Sequence, residues 1–308
     1  MSNEDSLPFP PKPKSGNAND FVEQQLDHRL DAIESHLSAD ALGFSGPITA
    51  GVDDIWRAVV EKKHSKNSGR EKLVVLLTTT GGYIEVVQRI VDILRKHYVL
   101  VDFIIPNYAY SAGTVLAMSG DAIHMNYYSR LGPIDPQVET PGGRMVPALG
   151  YLERYDALIQ KAVNGKISTA EVQLLIQGFD QGELYQYDQA RELSIALLKE
   201  WLVKYKFKNW KETRTRKVKV TEKLKESRAA SIAKKLNDTK RWHVHGHGIS
   251  KEVLDKDLDV LIDDFSADGI LSTCIREYDD LLSDYMAKMS TAGAIHCVGE
   301  YRVFMVFG

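Results

Sequence analysis

A strand–turn–helix pattern that occurs twice in succession constrains this chain more than any other feature. Leu73 to Leu77 is an uninterrupted apolar run, LVVLL. It is followed by Thr78-Thr79-Thr80-Gly81-Gly82, and from Tyr83 the apolar residues Val87, Ile90, Val91 and Leu94 recur on one helical face. The second unit begins with Val101 to Pro106, again apolar and read as a buried strand. It turns a bulky corner at Asn107-Tyr108-Ala109-Tyr110, reaches Ser111-Ala112-Gly113-Thr114, and becomes small and helical through Met118 before Ser119-Gly120-Asp121 closes it. One turn carries Gly-Gly and the other carries a serine.

A serine between a strand and the first turn of a helix sits on a rigid corner, with the next backbone N–H groups pointing out of the helix N-terminus. Acyl transfer needs this combination of a hydroxyl nucleophile and amide donors for the oxyanion. On local sequence alone the alternative is an N-cap serine beside small packing residues. The upstream Gly81-Gly82 turn adds weight to the catalytic reading, because glycines let the backbone turn sharply with its N–H groups facing a ligand.

TTTGGY, NYAYSAGT and the later LGPIDPQ (Leu131 to Gln137), in that order and spacing, resemble the Clp-fold serine peptidases. The similarity is greatest to the serine dehydrogenase proteinase branch and more distant to the Clp protease subunit and signal-peptide peptidase A. It spans roughly Ala41 to Gln137, with a second patch near Trp242 to Ile249. The resemblance implies an α/β Clp/crotonase-like fold of repeated strand–turn–helix units with a long helical C-terminal extension, assembled into a homo-oligomer. It also implies a serine endopeptidase acting on peptides or proteins without a cofactor. Ser111 is then the nucleophile, and the N–H groups of Gly82 and Ala112 are the oxyanion donors. A valine at Gly82 is expected to remove turnover and leave the fold largely intact.

The base is the least constrained member of the site. Where Clp protease subunits carry a histidine, about 25 residues after the serine, this chain has Ile134-Asp135-Pro136. His124 is nearer but lies in an expected strand, Ala122 to Asn126, and reads as a packing residue. Resemblance to the serine dehydrogenase proteinases implies the order Ser111, Asp135, His245. In that order His245 takes the serine proton and Asp135 orients it. Resemblance to signal-peptide peptidase A implies a Ser–Lys dyad instead, with Lys161 or Lys166 as the base. Such a lysine must be desolvated to lower its pKa.

Around this centre, residues 1–19 are read as a disordered tail, rich in Pro, Lys, Ser and Gly and unlike a signal peptide. Residues 20–140 form the catalytic core with an N-terminal helix from Asp20 to Leu37. Residues 141–240 form a helical region, with helices at Tyr151–Val163, Thr169–Ile176 and Tyr187–Tyr205, and Thr221 capping another. Residues 241–308 complete the site, with a strand at Val260–Phe265, a long helix from Ile270 to Met289, and a terminal strand or hairpin from Ala294. The net charge of −3 favours neither nucleic acid nor a membrane surface, and no stretch approaches a membrane span. Two cysteines, Cys274 and Cys297, fit a reducing compartment, so a cytoplasmic location is expected.

Two further patterns are set aside. Lys204 to Lys225 alternates basic residues with Tyr205, Phe207 and Trp210, as nucleic-acid binders do, but interspersed glutamates make a solvated face the expectation. His243, His245 and His247 alternate, about 7 Å apart on an extended chain, too divergent for one metal ion unless the strand bends. No metal is expected. Two other functions remain open: an inactive Clp-like scaffold or regulator, and a crotonase-type hydratase or isomerase that stabilises an enolate with the same paired amides.

Overall fold

The computed structural model describes residues 16–66, 69–134, 137–139, 145–242 and 246–307. Helix α1 (Ala18–Leu37) opens on a capping box between Asn17 and Asp20. Strand β1 (Asp40–Ser45) is followed by α2 (Val52–Ser65), β2 (Lys72–Thr78), α3 (Ile84–His97) and β3 (Leu100–Ile104). Two-residue β4 (Tyr108–Ala109) leads into α4 (Ala112–Met118), then β5 (Ala122–Met125) and β6 (Arg130–Leu131). A short hairpin, β7 (Gln137–Glu139) with β8 (Met145–Pro147), precedes the helices α5 (Ala148–Val163), α6 (Thr169–Gly178), α7 (Gln181–Trp201) and α8 (Glu222–Leu236). The chain ends with α9 (Thr239–Trp242), α10 (Lys251–Lys256), β9 (Asp263–Asp264), α11 (Gly269–Lys288), β10 (Thr291–Cys297) and β11 (Glu300–Val306).

Seven of these strands form one sheet in the order β11-β10-β1-β2-β3-β5-β9. The run from β1 to β9 is parallel, while β10 and β11 close one edge antiparallel. The LVVLL run is apolar at every position because both faces of β2 are covered. Leu73, Val75 and Leu77 join the core under α2, α3, α4, α7 and α8, whereas Val74 and Leu76 join a second core under α1 and α11. Trp56 anchors the first core, packed against Phe44, and Tyr278 is a fully buried ring of the second. The repeated units therefore place Gly81-Gly82 and Ser111 beyond the C-terminal ends of adjacent parallel strands, where α/β sheets form their binding crevices.

Several expectations need correcting. The strand expected over Val260–Phe265 is only Asp263–Asp264, because Val260 turns into the first core and Phe265, in a 3-10 turn, into the second. The third helix of the helical region runs from Gln181 to Trp201 and continues as a π-helical turn, Leu202–Lys206. The β7–β8 hairpin was not anticipated: its strands are three residues each, too short for a period-2 pattern.

Candidate active site

Two crests meet at the ends of β2 and β3. The Thr79 N–H donates to the Tyr108 carbonyl and the Tyr110 N–H to the Thr79 carbonyl, each at 3.0 Å, so the Gly-Gly turn and the serine corner are stitched by backbone. Tyr110 to Gly113 then forms a turn closed by the Gly113 N–H on the Tyr110 carbonyl at 2.8 Å. Ser111 holds its second position at φ 53°, ψ −121°. These are the dihedrals of a type II′ turn, at the place where glycine is usual. Ser111 is thus strained as well as buried, at 1% exposure, and strain of this kind collects at reactive centres.

Gly81, at φ +93°, is the residue in direct contact with this corner. A Cβ there would lie 2.6 Å from the Tyr110 carbonyl oxygen, 2.9 Å from Ser111 Cβ and 3.1 Å from the Ala112 nitrogen. Gly82, at φ +149°, is held against the connection between β1 and α2: a Cβ would fall 2.0 Å from the Ile48 carbonyl oxygen. Ile48 donates to the Gly81 carbonyl at 2.8 Å and accepts from the Tyr83 N–H at 2.9 Å. The Gly81 N–H is taken by the Thr79 hydroxyl at 3.0 Å. Among the described residues, no hydrogen bond takes up the N–H of Gly82 or of Ala112. Ala112 follows the strained serine directly, and Gly82 follows Gly81, which is in contact with that serine. The expectation that a side chain at Gly82 spares the fold is contradicted by the Ile48 contact.

Sequence reasoning assigned no separate role to Thr79 or Thr114, and of the Gly81-Gly82 pair it named only Gly82 as an oxyanion donor. Thr114 donates to the Ala109 carbonyl at 2.8 Å and accepts from the Gly132 N–H at 3.0 Å, tying the serine corner to the Leu131-Gly132 segment. Only the clustering of small hydroxyl residues and glycines in TTTGG and SAGT hinted at such close approach.

Leu131 pairs with Ala109 on one side and Ile249 on the other, the second pair through bonds of 3.1 and 2.7 Å. Ile134 is fixed by its N–H on the Leu236 carbonyl and its carbonyl on Asn237 Nδ2, each at 3.1 Å. Asp135 and His245 lie outside the described residues. So do His243 and the tail through residue 15. His247 packs its ring 5.3 Å from that of Trp242. His124 lies beside Asp102 at 3.4 Å, and Lys72 reaches the same carboxylate at 2.6 Å. Burial raises the pKa of Asp102, but the bonds from His124 and Lys72 outweigh that and bring it down to about 2. His124 therefore belongs to a buried ion-pair cluster in the sheet. Lys161 is exposed in α5 and paired with Glu171, and Lys166 is exposed in the turn that follows.

Comparison with known proteins adds the following. The model of the family described as ClpP-like SDH-type serine proteinase matches residues 53–212, just over half of the chain. The match takes in Gly82, Ser111, Ala112, Asp135, Lys161 and Lys166 and stops before His245. Two uncharacterized proteins of Methanocaldococcus jannaschii are similar. MJ0137 is 30% identical over 124 residues, 39% of this chain and 43% of that protein. MJ1495 is 33% identical over 81 residues, 26% of each. The chain thus spans less than half the length of either relative. Among solved structures, a mutant of the 1510-N membrane-bound stomatin-specific protease in complex with a substrate peptide aligns at TM-score 0.43 and 16% identity, over 85% of this chain and 84% of that one. The ClpP protease catalytic domain from Plasmodium falciparum aligns at TM-score 0.42 and 13% identity, over 82% and 93%.

Proposed function

Because the chain belongs to the ClpP-like SDH-type serine proteinase family, we propose that it is an endopeptidase working through an acyl-enzyme on Ser111. The observation that carries this is the turn itself: a buried serine at φ 53°, ψ −121°, with Gly81 packed against Ser111 Cβ and the Ala112 nitrogen. In the reaction, Ser111 Oγ attacks the scissile carbonyl carbon and its proton passes to the base. The carbonyl oxygen, now an oxyanion, is held by the N–H groups of Gly82 and Ala112. Collapse of the tetrahedral species expels the amine, which takes the proton from the base. Water then attacks the acyl-enzyme by the same route and releases the acid.

For the base we favour His245, oriented by Asp135. The described residues Leu131 and Ile249 pair with each other, and Leu131 also pairs with Ala109 just before the serine corner, which joins the two stretches that the resemblance draws on. Lys161 and Lys166 are both exposed, whereas a lysine base needs a desolvated setting. We further propose a homo-oligomer, because Val163, Leu174 and Ile176 of the α5–α6 arm stand exposed. A cytoplasmic location accords with two buried, free cysteines. Among the described residues no helix is long and apolar enough to cross a membrane.

A fluorophosphonate probe tests the chemistry. Labelling of the full chain that disappears in Ser111→Ala is expected. A folded protein that resists the probe would point to an inactive scaffold or a hydratase. His245→Ala should lose labelling while the double variant Lys161→Ala, Lys166→Ala keeps it, and the reverse pattern replaces the triad with the dyad.

A further inference from the structure

The basic, aromatic-studded stretch from Lys204 to Lys225 takes no part in the reaction proposed above, and its fold is not that of a plain solvated face. It leaves the π-helical turn and forms a hairpin, with the Thr213 N–H on the Val218 carbonyl and the Val220 N–H on the Lys211 carbonyl, both at 2.9 Å. This hairpin, the first turns of α8 and the end of α10 line an open cavity of about 1060 Å³. That is at the upper end of small-molecule sites, roughly 300–1,000 Å³. None of its lining residues belongs to the candidate active site.

The cavity wall carries five cationic side chains, Lys206, Arg214, Arg216, Arg228 and Lys256, against two carboxylates, Asp255 and Asp259. Arg214 pairs with Asp255 at 3.0 Å, and Arg228 pairs with Asp259. Among the described residues, no close ion pair takes up Lys206, Arg216 or Lys256, so three cations on the wall lack a direct carboxylate partner. Lys206 is the most telling. Burial brings its amine down to about 8, and the more distant carboxylates Asp263, Asp102 and Asp121 offset that only in part. Among the described residues no hydrogen bond reaches that amine, and an anion in the cavity would add to the partial compensation those carboxylates give. On the same wall the Trp210 ring packs on Phe207 at 5.4 Å, with the Arg228 guanidinium 5.7 Å from its centroid. A planar ring that stacks there gains contact from the indole and from the cation.

We propose that this cavity binds a small organic polyanion carrying a planar ring, of the nucleoside polyphosphate class, with its ring against Trp210 and its phosphates on Lys206, Arg216 and Lys256. Three cations contributed by separate elements suit a chain of phosphates better than a single carboxylate. The carboxylates on the wall already have arginine partners, so they do not repel the ligand unpaired.

The test is isothermal titration of the full chain with ATP, with tripolyphosphate and with a short oligo-dT, read as binding and independent of peptidase activity. ATP should bind saturably and more tightly than tripolyphosphate. The double variant Arg216→Gln, Lys256→Gln removes exposed charges without orphaning a carboxylate, and should weaken ATP at least tenfold. Trp210→Leu should weaken ATP several-fold and leave tripolyphosphate unchanged. The proposal is overturned if ATP gives no saturable heat at millimolar concentration, or if the double variant binds ATP as the native chain does. It is also overturned if oligo-dT binds more tightly than ATP, which would make this face a nucleic-acid surface.

Discussion

The backbone of Ser111 occupies a region that costs an L side chain roughly 1–3 kcal/mol, so replacing it separates strain from chemistry. Ser111→Ala keeps the Cβ and hence the strain, and should unfold in urea near the native midpoint. Ser111→Gly relieves the strain but gains unfolded-state entropy, and should be about 1 kcal/mol more stable than Ser111→Ala. Equal midpoints for the two variants would show that the turn is unstrained. Gly82 gives the opposite sign. A valine there would press on the Ile48 carbonyl, which is held by the Tyr83 N–H, and at φ +149° a β-branched residue has no relaxed backbone. Gly82→Val should lose more than about 3 kcal/mol of stability, with activity lost through the fold. A variant with unchanged denaturation but no turnover would restore a purely catalytic role for that glycine.

At the scale of elements, α11 carries a charge placed at a cost. Tyr278, Leu282 and Tyr285 pack this helix into the second core, and Asp279 sits beside them on the edge of that face. Burial, with some help from Asp280, pushes the Asp279 carboxyl up to about 6. The folded state then holds this proton more tightly than the unfolded state. The group's contribution is fully present below about pH 4 and is lost as pH rises through 6. Two pKa units correspond to about 3 kcal/mol, and because Asp279 is partly exposed we expect on the order of 1–2 kcal/mol. Asp279→Asn should raise the urea midpoint at pH 7.5 and leave it unchanged near pH 4. A gain of equal size at both pH values would assign the effect to packing.

For the whole molecule, the exposed apolar side chains of α5 and α6 bear on the proposed oligomer. Helix α6 buries none of its residues, and Ile176 and Val163 are 74% and 75% exposed. Apolar side chains gathered on a projecting arm accord with packing between copies. Sedimentation at micromolar concentration should show an oligomer, and Ile176→Asp with Val163→Asp should shift it toward monomer. A native chain that sediments as a monomer at tens of micromolar would remove the arm from assembly.

Local sequence determined the elements of the core. LVVLL reads as a continuous apolar strand, the spacing of Val87, Ile90, Val91 and Leu94 set α3, and the change from FII to small residues after Tyr110 marked α4 to the residue. These signals lie within a few residues of one another, where propensity and period act. Tertiary structure decided what depends on distant partners. The Ile48 contact makes Gly82 a packing glycine and leaves Gly81 against Ser111. The Leu131–Ile249 pairing spans more than a hundred residues, and the fold of Lys204–Lys225 over α8 and α10 turned a charge run into a cavity wall. No window of sequence contains those contacts, because the free energy that selects them comes from surfaces that meet only once the sheet has formed.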